Sequence, residues 1–226
     1  MKKYFLVLFL VITSKPVILA QTPERMQVDS LEKQLAQLKD SSRIDCINLI
    51  AQTISSAISG NFTDTALWVQ KADSIYHYAS VAYNEAMKIS YKKGIAQSLA
   101  NMGSSEFTRG VGFRINKKDD SFSVYAAEKY LLKAITLAEE INNDEILGRA
   151  HYDLADILFF KSKRQNLTIR SEYLKKAIYH LHKAGIEGLE GEACTWLCED
   201  YTYRGYYEEG IEYCQRSMEL AKKAIT

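Results

Sequence analysis

The side chains with the most evident chemistry in this sequence are its four cysteines. Cys194 and Cys198 are spaced to lie one turn apart on a helix, with Cys214 following and Cys46 far away in the chain. Two thiols of an exported protein can be joined by a disulfide, so Cys198 and Cys214 are candidates for a bridge. The alternative is that these cysteines are small buried residues, as alanines are elsewhere in the chain.

Other residue types that could support catalysis form no recognisable arrangement. His180 and His182 are too close in sequence to share one side of a helix, which argues against a chelating pair. No Gly-rich phosphate loop, Ser–His–acid set or Cys–His signature is present. We therefore expect no enzyme activity, no cofactor and no metal site. The remaining histidines are His77 and His151.

Small side chains recur at helical spacing along most of the chain. A small residue is followed four positions later by a larger one and three positions after that by another small one, which traces one stripe along a helix. Close approach of a neighbouring helix is the expected consequence. The copies are Ala79, Tyr83 and Ala86; Ala127, Leu131 and Ala134; Ala177, Leu181 and Ala184; and a weaker Gly210, Cys214 and Ser217.

A second pattern lies on the segments between these stripes. It consists of an apolar residue, a small neighbour and a large residue three positions further on, and Glu106 is the outlier among the large residues. The copies are Ile50-Ala51 with Ile54, Met102-Gly103 with Glu106, Leu154-Ala155 with Leu158, and Leu197-Cys198 with Tyr201.

Together the two patterns resemble the tetratricopeptide repeat (TPR), a helix-turn-helix unit of about 34 residues. The resemblance implies an all-α superhelical solenoid of antiparallel helix pairs. We expect about four repeats over residues 44–226, preceded by a leading segment, 21–43, with a short helix over 29–39.

The two helices of a pair are further apart in sequence in the first three copies than in the last. This spacing predicts insertions, in outline, at 60–73, 110–121 and 161–169. The middle one has the composition of an exposed loop. Residues 64–75 have a helical pattern, so we expect the second helix there to begin early.

In a solenoid of this family the first helix of each pair lines the concave side. The mixture of aromatic, amide and charged side chains projected onto that side suits a peptide or protein ligand. The alternative is a solvated polar face. The predicted groove residues are Gln97, Asn101, Ser104, Arg149, Tyr152, Asp156, Phe159, Thr195, Glu199 and Tyr203.

Composition and the first residues limit the partners and the compartment. The 226 residues are 47% hydrophobic and carry a net charge of +1, so the chain has no basic field for nucleic acid. Residues 1–20 combine two early lysines, an apolar run and Ala20 before Gln21, which is typical of a secretory signal peptide. We expect a periplasmic or secreted protein without a membrane span after signal removal; the alternative is an uncleaved anchor.

Residues 29–43 and 91–103 resemble exported N-terminal sensor regions of Bacteroidetes-type TPR histidine kinases and regulators. The resemblance implies a protein- or peptide-binding sensor or adaptor in signal transduction, with a signalling partner in the envelope. The chain is then either a free-standing repeat protein or the sensing part of a truncated gene. A structural scaffold in a cell-envelope complex is the alternative function.

Overall fold

The computed structural model describes residues 22–56, 65–115, 121–162 and 166–223. Within these ranges all regular structure is α-helical and no strand is present. The predicted signal peptide, 1–20, lies outside the described residues. The helices are α1 (Pro23–Leu35), α2 (Asp40–Ser56), α3 (Thr65–Lys88), α4 (Lys92–Ile115), α5 (Ser121–Glu140), α6 (Asp144–Ser162), α7 (Leu167–Ala184), α8 (Glu187–Tyr203) and α9 (Tyr207–Lys223).

The helices stack in antiparallel pairs along the chain. Each helix packs against the next one, and the first helices of successive pairs, α2, α4 and α6, also contact one another in turn. This connectivity lets each pair bury its apolar face against its neighbours. The predicted all-α, TPR-like solenoid is confirmed, with α1 packed against α2 as a leading helix.

Small residues lie where helices approach most closely. Ala127, Ala134 and Ala177 are fully buried. At Gly103 and Gly148 the approach leaves no room for a side chain, because a methyl group there would lie within 2.6 Å and 2.7 Å of the Cγ atoms of Leu131 and Leu181, respectively. These small residues therefore form the contact seam between helices. The pattern is wrong for Ala184, which is exposed because α7 ends there.

We expect Gly148→Ala to lower the free energy of unfolding by about 1–3 kcal/mol, because overpacking outweighs the gain in helix propensity. The added methyl group would meet both Leu181 Cγ and the Leu181 backbone nitrogen, at 2.7 and 3.0 Å. Gly188→Ala is the matched control, since no atom lies within 4 Å of a methyl group there. If urea unfolding showed both variants to be equally stable, the close packing of Gly148 against Leu181 would be contradicted.

The turns between successive pairs share one hydrogen-bond geometry. In each, a backbone N–H after the helix donates to a carbonyl five residues earlier, and the residue before the donor is left-handed, as in a Schellman motif. The repeated turn sets the same helix reversal along the solenoid. The bonds are Tyr91 to Ala86 (2.9 Å), Asn143 to Ala138 (3.0 Å) and Ile186 to Leu181 (3.0 Å), after left-handed Ser90, Asn142 and Gly185.

The predicted insertions are largely taken up by longer helices. The prediction of an exposed loop at 110–121 is wrong for its first residues. Helix α4 continues to Ile115, and both Gly110 and Val111 are buried. Gly110 remains helical because it packs closely against Val124 of α5. Similarly, α3 begins early, at Thr65, and α6 continues to Ser162.

The leading helix begins earlier than predicted. It spans Pro23–Leu35 rather than 29–39, because the Thr22 hydroxyl accepts the Arg25 N–H at 3.3 Å and proline suits the first turn. The boundary predicted after residue 43 falls inside α2, which begins at Asp40.

Candidate functional site

A cavity of about 440 Å³ opens on the side of the solenoid lined by the first helices. It is walled by α2, α4, α6 and the first turns of α8, with one aromatic contribution from α3. Its lining combines apolar and polar side chains. The apolar ones include Trp68, Phe107, Ile146, Ile186 and Leu189, and the polar ones include Gln52, Ser55, Gln97, Asn101 and Ser104.

One end of the cavity is rich in carboxylates. Asp153 and Asp156 of α6 and Glu192 of α8 line it together with one cation, Arg149. The Arg149 guanidinium is already engaged, since its Nε lies 3.3 Å from Glu145 of the same helix. Acidic side chains therefore outnumber basic ones in the cavity.

Burial makes it costly to ionise the two aspartates. It raises the pKa of Asp153 to about 7, assisted by the neighbouring charge of Asp156 and opposed by Arg149. Burial likewise raises the pKa of Asp156 to about 7, against the opposing effect of Arg170 and with added repulsion from Glu192 and Asp200. Ionising both side chains near neutral pH thus leaves like charges close together in a partly dry site.

Asp156→Asn is expected to stabilise the protein relative to wild type at pH 8 but not at pH 4. Between the ordinary pKa of 3.8 and the folded pKa of about 7, the folded chain retains a proton that the unfolded chain loses. Wild-type stability attributable to Asp156 therefore falls as pH rises through this window, by at most about 1.4 kcal/mol per pH unit. Asparagine does not ionise, so the variant does not lose stability in this way as the pH rises.

Urea unfolding of both proteins across this range measures the difference. A variant that is less stable than wild type at pH 8 would instead identify Asp156 as an essential counter-ion of Arg170, whose Nη2 lies 3.8 Å from the Asp156 carboxylate.

Tyr152 fixes the relative position of α6 and α8 at the acidic end. Its hydroxyl donates to Glu192 Oε2 at 3.1 Å and accepts the indole N–H of Trp196 at 3.2 Å. The Tyr152 side chain is largely buried, and this burial raises its pKa. Glu192 is therefore held at the cavity by a contact between two repeats.

Beneath this end lies a buried arginine. The Arg170 guanidinium of α7 stacks between the rings of Phe159, 4.6 Å away, and Trp196, 5.2 Å away. Its Nη1 donates to Asp200 Oδ1 at 2.7 Å. The cluster ties α6, α7 and α8 together beside the cavity residue Asp156, which lies 3.8 Å from Arg170 Nη2.

Several of the predicted groove residues line the cavity and others do not. Thr195 instead faces α9, where its hydroxyl lies 2.7 Å from the Ser217 hydroxyl. Glu199, one turn further on, is exposed outside the cavity. The lining residues are Gln97, Asn101, Ser104, Arg149, Tyr152 and Asp156, whereas Phe159 packs on Arg170 and Tyr203 is exposed near the end of α8.

Two carboxylates of the cavity, Asp153 and Glu192, were not predicted from the sequence. Asp153 had a readable signal, since Arg149, Asp153 and Asp156 follow the same steps of four and three as the seam residues. Glu192 lies three and seven positions before Thr195 and Glu199, on the projected face of α8, but the hydrogen bond that holds it at the cavity comes from Tyr152 in the preceding repeat.

Some polar side chains of the lining are engaged in contacts between α2 and α4. The Asn101 amide donates to the Asn48 side-chain oxygen at 3.0 Å, and that oxygen also accepts the Ser98 hydroxyl at 3.0 Å. The hydroxyls of Ser104 and Ser55 lie 2.8 Å apart. Asn101 and Ser104 therefore hold the two helices in register as well as lining the cavity.

The structure joins Cys198 and Cys214 in a disulfide between α8 and α9, with Cα atoms 5.4 Å apart. Cys46 and Cys194 are buried as free thiols. Burial raises the pKa of Cys194 to about 11, which disfavours a reactive thiolate.

The described residues also bear on metal binding and on membrane insertion. Among the described residues, no three His, Cys, Asp or Glu side chains are grouped to hold a metal ion. In that part of the chain, no helix combines the length and apolar character needed to cross a bilayer.

Comparison with known proteins gives a similarity at the level of the fold. No family model matches the chain, and no curated protein matches it. Among solved structures, it is similar to aspartyl phosphate phosphatase F from Bacillus subtilis, with a TM-score of 0.54 and 16% identity over 89% of this chain. The chain spans about half of that protein, 51% of its length. At this identity the similarity establishes a shared helical-repeat fold.

Proposed function

We propose that this protein is a non-enzymatic binding module whose cavity holds a peptide segment of another protein, with a basic side chain against Asp153, Asp156 and Glu192. The observation that carries the proposal is the acidic end of a concave cavity whose walls are otherwise apolar and amide-bearing. Apolar pockets with a few convergent polar groups are typical of ligand sites.

A cationic ligand would offset the cost of ionising Asp153 and Asp156. Asp153 and Asp156 repel each other when ionised, and burial penalises both charges. A Lys or Arg side chain placed between them would favour their ionised forms. The apolar side chains of the lining, among them Trp68 and Leu189, would accept a neighbouring apolar side chain, while Gln97 can bond an extended backbone.

Labelled peptides that differ only in a central Lys or Glu provide the direct probe. Fluorescence anisotropy should show that the Lys peptides bind and the Glu peptides do not. Replacing both aspartates, as Asp153→Asn with Asp156→Asn, should weaken binding at least about tenfold, or about 1.4 kcal/mol. Glu139→Gln, at the exposed end of α5, is the matched control and should leave affinity unchanged.

Calorimetry supplies a readout that a structural defect would not imitate. Because a bound cation lowers the pKa values of Asp153 and Asp156, binding near pH 7 should release protons. Titrations in two buffers of different ionisation enthalpy measure that release. Binding of Lys and Glu peptides with equal affinity, binding without proton release, or absence of binding would each overturn the proposal.

We further propose that the protein is exported and acts as a sensor or adaptor in signal transduction. It is supported by the signal-peptide pattern of residues 1–20 and by the Cys198–Cys214 disulfide, since such bridges persist in oxidising compartments. N-terminal sequencing of the protein recovered from its native host tests export: a mature chain beginning at Gln21 is expected, and an intact Met1 in the cytoplasm would contradict it.

A further inference from the structure

One side of α9 is apolar and uncovered. Among the described residues this helix packs substantially only on α8, through an inner face that includes Gly210 and Leu220. Tyr207, Ile211 and Met218 follow each other at steps that place them on one stripe, and they are 64%, 53% and 56% exposed. We name these three residues the α9 stripe.

In α5, the positions that correspond to the stripe face the next helix pair. The counterparts of Tyr207 and Met218 are Val124 and Ile135, which are buried, and the counterpart of Ile211 is Glu128, which pairs with Lys161 of α6 at 2.7 Å. The stripe therefore has the residue types of a helix–helix contact without a partner for it in the described part of the chain.

Charged residues of opposite sign flank the stripe at the two ends of α9. The first turn carries Glu208 and Glu209, and the last turn carries Lys222 and Lys223, of which Lys223 pairs with Glu187 of α8 at 3.0 Å. Two copies of α9 laid antiparallel would bring the acidic end of each helix to the basic end of the other, whereas parallel copies would oppose like charges. Antiparallel pairing also brings Ile211 of each copy opposite Met218 of the other.

We propose that the α9 stripe is the interface of a two-fold symmetric dimer of this protein, with α9 packed antiparallel against α9 of a second copy. Such an isologous contact is self-complementary, because the same patch serves both copies. Tyr206, exposed at the start of the helix, extends the contact. The Cys198–Cys214 bridge holds the interface helix on α8.

Sedimentation equilibrium of the purified protein tests the dimer. Wild type should show a reversible monomer–dimer equilibrium, and Ile211→Asp should be monomeric at the same concentrations. Leu132→Asp is the matched control, since Leu132 is an exposed apolar residue of α5, and it should leave the equilibrium unchanged. Thermal unfolding of both variants checks that the fold is retained.

A charge exchange tests the antiparallel orientation. Glu208→Lys and Lys222→Glu should each weaken the dimer, and the two changes together should restore it because each new lysine again faces a glutamate. A wild-type protein that is monomeric at all concentrations, a dimer that survives Ile211→Asp, or a double variant weaker than both single variants would overturn the proposal. Peptide binding in the cavity should be unaffected by Ile211→Asp, which separates this proposal from the proposed function.

Discussion

Asp200→Ala should lower the free energy of unfolding by about 3–5 kcal/mol, a large fraction of the roughly 5–15 kcal/mol that holds a domain folded. The Arg170 and Asp200 side chains are each 3% exposed, and their closest atoms lie 2.7 Å apart. Removing the carboxylate leaves a buried guanidinium whose nearest remaining carboxylate is Asp156, 3.8 Å away. The variant should unfold at markedly lower urea concentration.

Two further variants separate the ion pair from general damage to α8. Glu199→Ala, at the adjacent exposed acid, should be close to wild type. Arg170→Met combined with Asp200→Leu should recover much of the loss, because apolar side chains replace both buried charges. An Asp200→Ala protein as stable as Glu199→Ala would contradict the role assigned to the pair.

Ala134→Arg should prevent stable folding. Ala134 is fully buried in the core between α4, α5 and α6, so an arginine there must bury a charge or separate the helices. Either outcome costs several kcal/mol, on the order of 4 or more. Far-UV circular dichroism and thermal unfolding measure the effect.

Ala184→Arg is the matched control for this prediction. The sequence pattern makes Ala184 equivalent to Ala134, but the structure exposes it at the last residue of α7, before left-handed Gly185. A cation there faces the carboxyl end of the helix, so stability should change by about 0.5 kcal/mol or less. Loss of the fold in both variants would mean that Ala184 is buried, as the sequence pattern predicts. Normal folding of both variants would mean that Ala134 does not lie in a tight contact between helices.

The fold was predictable because its main determinant is local and periodic. The steps of four and three through Ala127, Leu131 and Ala134 indicate a buried stripe on the helix, regardless of which helix packs against it. Prediction failed where tertiary contacts decide the outcome. Gly110 suggested a loop, yet its contact with Val124 keeps α4 helical, and Ala184 is exposed because α7 ends there.

The site was predictable only within single helices. Arg149, Tyr152 and Asp156 line the cavity as the projection of α6 predicted. The projection of α8 was wrong for Thr195, which bonds Ser217 of α9. The rotation of α8 about its axis is set by contacts between repeats, among them the bond from Tyr152 to Glu192, and no local pattern encodes them.

Photo-crosslinking with a Lys-containing peptide that carries a benzophenone tests the central claim, namely that the cavity on the first-helix side is where a partner binds. Mass spectrometry of the digested product should place the label on α4 and α6, around Gln97 and Arg149, and the Asp153→Asn, Asp156→Asn protein should take up much less. Label on the second helices α5 and α7, or equal labelling of the variant, would contradict it.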